Sequence, residues 1–450
     1  MNDNLNENNA TTRTEGRQKR RSDRFGAVQF TNAAAVKDGQ TTTPATAGAT
    51  AVTVANNESG LTLATPSALG SDGASLAMPR GPVQTVITTA APLAVTASSD
   101  ADYERLGLAR KDIKPWEDGA RTDDRPGTYE WWYFDAHLDD GAKLVVVFMD
   151  KNLSTPQRPL EPTIRLNLDL ADGRGFEKLV VFDPETWSSA KDHADVRIGA
   201  NRFTGDLHTY RVTAKIEEIS VDVTLEGEVP AWRPETGYML FGEDRKREFA
   251  WLPSVPQGKV TATYTIGDER HETTGTGYHD HNWGNVGLMD IVHDWYWARG
   301  QAGPYSVIAS YITAHEKYDY ATIPIFMLAK DGLLIGDDPS CVKFETLGPF
   351  TDSVTKKPVA NITRYTYGTD EDRYVVTFTR HRDLSRARMV ESLHGIKRAA
   401  AELLRFDGAY LRFSGDIRVE HIRGDEIVDQ YVTEDAIWEL MYFGHARSEP

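Results

Sequence analysis

The sequence predicts an all-β protein of two tandem antiparallel barrel or sandwich domains, with one short helix in its C-terminal half, behind a disordered N-terminal tail. Three observations carry this. Short segments alternate apolar and polar residues, turn signals containing Gly separate them at short intervals, and aromatic residues are absent from Thr31 to Asp102 but dense from Tyr103 onward.

Residues 1–100 are read as the tail. Their Ala, Thr, Ser and Gly, with scattered Pro, bury too little apolar surface to offset the entropy of ordering the chain. The basic cluster Arg17, Lys19, Arg20, Arg21 and Arg24 is followed by no apolar run, so neither a signal peptide nor a twin-arginine export signal is expected.

Residues 104–286 are assigned to a first β domain and 287–445 to a second. Asp139-Asp140-Gly141 separates Trp132–His137 from Lys143–Met149 and reads as a hairpin. Val221, Val223 and Leu225 alternate with Asp222, Thr224 and Glu226, the pattern of a half-buried strand. Ala171-Asp172-Gly173, Gly267-Asp268, Lys330-Asp331-Gly332 and Arg423-Gly424-Asp425 mark further turns. Only 395–405 has a helical stripe, from Ile396, Ala399, Ala400 and Leu403. An antiparallel barrel with one helix near its end is a lipocalin-like arrangement.

Composition narrows the function. The net charge of −17 belongs to residues 101–450, because the first hundred residues hold eight basic and eight acidic side chains. So acidic a body repels phosphate backbones, so nucleic acid is not an expected partner. No apolar run is long enough to span a bilayer, and a cytoplasmic location is expected. Cys341 is the only cysteine, which excludes an intrachain disulfide framework. Neither GxxxxGK[ST] nor GxGxxG occurs, nor a GxSxG elbow, so neither a nucleotide cofactor nor a serine nucleophile is expected.

Two aromatic-rich motifs remain. The first runs Glu130-Trp131-Trp132-Tyr133-Phe134-Asp135 and the second from Gly277 to Asn285, "GYHDHNWGN". On a strand, His279, His281 and Trp283 share one face, while Tyr278, Asp280 and Asn282 share the other. Two imidazoles and an indole facing a barrel interior combine proton transfer with a π-rich wall. The same cluster also suits a purely structural role, locking a barrel bottom through buried hydrogen bonds. His279 and His281 with His293 or Asp294 offer ligands to a metal, but with no HExxH and no Cys partners neither a metal nor another cofactor is assigned.

The strings "EWWYFDA", "GYHDHNWG", "WYWARGQ" and "AIWELMYFGH" resemble the carotenoid 1,2-hydratase (hydroxyneurosporene synthase) and AttH-like family. That family includes kievitone hydratase-like enzymes and, more distantly, the fungal decalin-forming Diels–Alderases. The resemblance runs from about Asp124 to His445. It implies two lipocalin-like domains and cofactor-independent chemistry on a hydrophobic polyene, terpenoid or polyketide. The hydratase pattern of His-x-Trp followed by Tyr-x-Asp places His281 and Trp283 in the first pair. Tyr311-Ile312-Thr313 takes the second, with Thr313 where the acid is expected, and a neutral threonine cannot protonate a C=C bond.

The expected function is acid–base chemistry at a C=C bond, as in hydration, dehydration or cyclisation. His281 is the expected acid–base group, with Trp283 and Trp132 as cation-stabilising walls, Tyr311 orienting substrate or water, and Asp280 as a further catalytic acid. Glu130, Trp131, Trp132, Tyr133, Tyr278, His279, Asn282, Trp295 and Trp297 are the expected substrate-binding residues. The alternatives are a pericyclase that folds a linear polyene and a hydrophobic-ligand binding protein without catalysis.

Overall fold

The computed structural model describes residues 92–123, 125–152, 155–392 and 407–447. The tail assigned to residues 1–100 lies outside the described residues as far as 91, and so does the helix assigned to 395–405. Residues 92–100 correct the tail boundary. Ala94–Thr96 forms a strand paired antiparallel with Tyr238–Phe241, and the helix Asp100–Leu106 begins immediately after Ser99. Ser99 and Asp102 form a capping box, and Gly107 ends the helix at a positive φ of 67°. These elements are too short for periodicity to reveal. It is the one α-helix among the described residues, and no helix there is long and apolar enough to cross a membrane.

Among the described residues the strands form two sheets, in which every pairing is antiparallel. The first holds thirteen strands between Ala94 and Gly284, the second nine between Val292 and Tyr442. Every turn named from sequence joins paired strands. Gly141, Gly173, Gly267, Gly332 and Gly424 all have positive φ, which a side chain would resist.

The first sheet curls on itself. One face of Tyr129–Leu138, Lys143–Met149 and Thr163–Asp169 (Trp132, Phe134, Leu144, Phe148, Ile164) shares a core with Phe203, Tyr210, Val212, Val223 and Val260 from the other half. Phe148 and Phe203 meet edge to face with ring centroids 5.8 Å apart. The second sheet encloses its own core around Tyr296, Phe326, Tyr365, Phe378, Phe413 and Trp438.

A third apolar cluster joins the two sheets. Tyr129, Phe249, Trp251 and Tyr278 of the first pack with Ile308, Ile312, Tyr410 and Met441 of the second. Arg299 of the second sheet also forms an ion pair with Asp135 of the first, and Tyr133 donates to the same carboxylate at 3.0 Å. Successive residues of the central strands therefore serve two different interiors.

Candidate active site

The strand Glu269–Gly284 lies between Tyr129–Leu138 and Arg247–Ile266. Alternation splits its motif as the sequence predicts, but the environments of the two faces differ from the expectation. His279, His281 and Trp283 do not face the cavity. His279 and His281 are fully buried on the core side of the sheet. His281 Nε2 lies 2.7 Å from Glu130 Oε1, and its Nδ1 lies 3.3 Å from Asp118 Oδ1. Trp132 stacks on the imidazole at 4.3 Å, and Trp283 leans against it at 4.7 Å. His279 meets the Tyr133 carbonyl at 2.8 Å and Asp118 Oδ2 at 3.1 Å. Asp118 comes from the one-turn helix Pro115–Asp118 and also accepts from the Tyr210 hydroxyl.

Burial opposes charge on His281, but the hydrogen bonds and charges of Asp118 and Glu130 outweigh it and raise its pKa above the ordinary imidazole value. Burial likewise opposes charge on Asp118, yet the two imidazoles hold its pKa below the usual carboxylate range. These groups form a buried ionic network. Glu130 completes it by accepting from the Arg121 and Thr122 amides at 2.6 and 3.0 Å.

The opposite face opens on a cavity of about 1030 Å³, the upper end of the range for small-molecule sites. Both sheets line it. Trp131, Tyr133, Trp251, Asp280 and Asn282 come from the first, and Trp295, Trp297, Arg299, Tyr410, Arg412 and Glu439 from the second. Pro253 and Pro256 cannot donate ladder hydrogen bonds, and the register of Arg247–Ile266 shifts on either side of Val255. Trp251, just before that irregular stretch, sits opposite Asn282 and so shares the face of Asp280.

Asp280 is only 7% exposed. Its Oδ2 accepts from Tyr278 Oη at 2.7 Å and from Trp251 Nε1 at 2.8 Å, while Oδ1 accepts from Asn282 Nδ2 at 2.7 Å. Burial raises its pKa, and those neutral donors only partly offset the effect. Across the cavity, Glu439 has a matching environment. Its carboxylate accepts from Trp295 Nε1 at 3.2 Å and from the Tyr410 hydroxyl. Burial raises its pKa too, against the pull of Arg412 and Arg165, and it lines the cavity. Each acid thus has an indole N–H and a phenol; the His279 imidazole lies within electrostatic reach of Asp280, and the Arg412 and Arg165 guanidinium groups within reach of Glu439.

The structure brings together Trp131, Tyr133, Asp280, Asn282, Trp295 and Trp297 around one space, with Tyr278 hydrogen-bonded to Asp280. It separates from them Glu130, Trp132, His279, His281 and Trp283, all in the network on the other face. Tyr311 is also displaced. It stacks on Phe344 at 4.3 Å beside the second sheet's core, whereas its neighbours Ser310 and Ile312 line the cavity. Thr313 hydrogen-bonds to Asp294 at 3.4 Å, and His293 pairs with Asp294 and the His445 carbonyl. Among the described residues no group of three or more His, Cys, Asp or Glu side chains is arranged to hold a metal ion. Trp251, Tyr410, Arg412 and Glu439 were not anticipated. For Glu439 a signal exists, since a carboxylate interrupts the apolar string "AIWELMYFGH".

Comparison with known proteins agrees with this architecture. Residues 125–340 match a Diels-Alderase-like family model. The chain is 24% identical over 274 residues to the quinolone epoxide rearrangement protein asqO of Emericella nidulans, covering 56% of this chain and 73% of that one. It is 27% identical over 213 residues to a hydroxyneurosporene dehydrogenase of Chlorobaculum tepidum, covering 39% of this chain and 54% of the relative, so it spans about half the relative's length. The crystal structure of CghA with Sch210972 superposes with a TM-score of 0.51 at 15% identity, over 73% of this chain and 96% of that one, and shares the fold. Two curled antiparallel sheets around a shared cavity define a lipocalin-like protein. Residues 125–340, just under half of the chain, are thus similar to the Diels-Alderase-like proteins, and the fold is the one shared with CghA.

Proposed function

We propose that this protein is an enzyme of secondary metabolism that binds a largely apolar, unsaturated small molecule between its sheets and protonates it from Asp280. The observation that carries this reading is the buried Asp280 carboxyl, held by Tyr278, Trp251 and Asn282 at the wall of an aromatic cavity. A carboxyl in that setting keeps its proton to higher pH than one in water, as an acid must if it is to protonate a double bond or an epoxide oxygen. Trp131, Trp251, Trp295 and Trp297 present π surfaces that favour a developing cation. The similarity to a quinolone epoxide rearrangement protein supports a rearrangement or cyclisation started by such a proton.

The test is incubation of the wild type and Asp280→Asn with a quinolone epoxide and with linear polyenes in D₂O. The reading expects solvent deuterium at carbon in products from the polyenes, rearranged product from the epoxide, and at least a hundredfold less of either from the variant, the scale of lost general acid catalysis. Equal turnover by both would end it.

The match to a Diels-Alderase-like family model favours a second reading, in which the cavity folds a polyene for a pericyclic reaction. That reading expects no deuterium in the product and an indifferent Asp280→Asn.

A further inference from the structure

We propose that Glu439 is the base of the same site, taking a proton from the substrate on the wall opposite Asp280, so that the site runs proton-in, proton-out isomerisation. The inference rests on the reading of Asp280 as proton donor.

Two features of the geometry carry it. First, the two carboxyl groups stand on different sheets around one cavity, each fixed by one indole N–H and one phenol: Trp251 and Tyr278 for Asp280, Trp295 and Tyr410 for Glu439. A merely structural acid in an apolar wall does not need its partner set duplicated on the other wall. Second, the charges beside them differ. Asp280 hydrogen-bonds only to neutral side chains, whereas Glu439 is the cross-strand neighbour of Arg412 and lies within electrostatic reach of Arg165. Burial favours the protonated form of both acids; the guanidinium groups beside Glu439 work against it there, whereas no guanidinium hydrogen-bonds to Asp280. Of the two, Glu439 is therefore the one placed to give up its proton and act as base.

The chemistry balances without a cofactor. The Asp280 O–H bond breaks and its proton forms a C–H bond with the π electrons of a substrate double bond, leaving a carbocation. Glu439 then removes a proton from an adjacent carbon, and the electrons of that C–H bond form the new double bond. Product and substrate are isomers, and the proton returns from Glu439 to Asp280 through solvent.

A base of this kind is detectable without the natural substrate. 5-Nitrobenzisoxazole loses its ring C–H proton to a carboxylate shielded from water, its N–O bond breaks, and a coloured cyanonitrophenolate forms. The wild type is expected to accelerate this elimination over acetate at equal concentration. Glu439→Gln should lower the rate on the order of a hundredfold with an unchanged thermal transition. Glu439→Asp, which keeps a carboxylate there, should recover part of it. Two results overturn the inference: no acceleration by the wild type, or full rate in Glu439→Gln. Neither bears on Asp280 as donor, which the deuterium experiment reads separately.

Discussion

Asp280 and His281 are consecutive residues whose side chains leave one strand on opposite faces, the carboxyl into the cavity and the imidazole into a network with Asp118 and Glu130. On the proposed reading the two groups do different work: His281 holds the wall, and Asp280 presents chemistry from it.

His281→Gln should therefore act first on stability. It leaves the buried Asp118 and Glu130 carboxylates without their shared cation, and breaking a buried ionic group in this way costs about 3–5 kcal/mol. Urea denaturation should show that loss, and it should exceed the loss in Asp280→Asn, whose amide can keep several of the same hydrogen bonds.

The stabilisation from His281 has a definite pH sign. Its folded pKa is raised, so the contribution is complete below the unfolded value of about 6.5 and disappears as pH rises through the folded value. The difference in urea midpoint between the wild type and His281→Gln should shrink as the pH is raised above about 6.5. A difference that grew with pH would contradict the ionic network.

The Arg299–Asp135 pair links the sheets beside the cavity. Arg299→Met alone should cost about 3 kcal/mol, because Asp135, only 7% exposed, keeps an unpaired charge. Adding Asp135→Asn should restore much of that loss, so a double-mutant cycle should give strong coupling.

Val147 stands opposite Tyr133 in the strand row that contains Asp280, and it lines the cavity. Val147→Trp should fill space there. Nile red binding, followed by fluorescence, should weaken at least tenfold, about 1.4 kcal/mol, while the near-ultraviolet circular dichroism of the fold persists.

Much of the fold was legible in the sequence because its determinants are local. The Asp-Gly turns, the alternation through Val221–Leu225 and the two faces of the 278–283 motif each follow from a few adjacent residues. Which face of that motif opens on the cavity was not legible. It depends on where the second sheet docks, and the sequence offers His281 and Trp283 as the richer chemical face. Their density of polar and aromatic groups reflects the cost of burying charged groups, which need nearby partners. Tyr311 was misplaced for the same reason, since a one-residue step along a strand exchanges one interior for the other. Glu439 was hidden because its partners Trp295, Tyr410 and Arg412 lie on other strands.

The claim on which the account depends is that Asp280 keeps its proton in the cavity wall. Infrared spectroscopy of the protein near neutral pH reads this directly through the carbonyl stretch of a protonated carboxyl group. The buried Asp150 carboxyl is also pushed toward its protonated form, so the account predicts one component of the band that is present in the wild type and in Glu439→Gln and missing from Asp280→Asn in the difference spectrum. An unchanged band in Asp280→Asn, or no protonated carboxyl in the wild type, would contradict it.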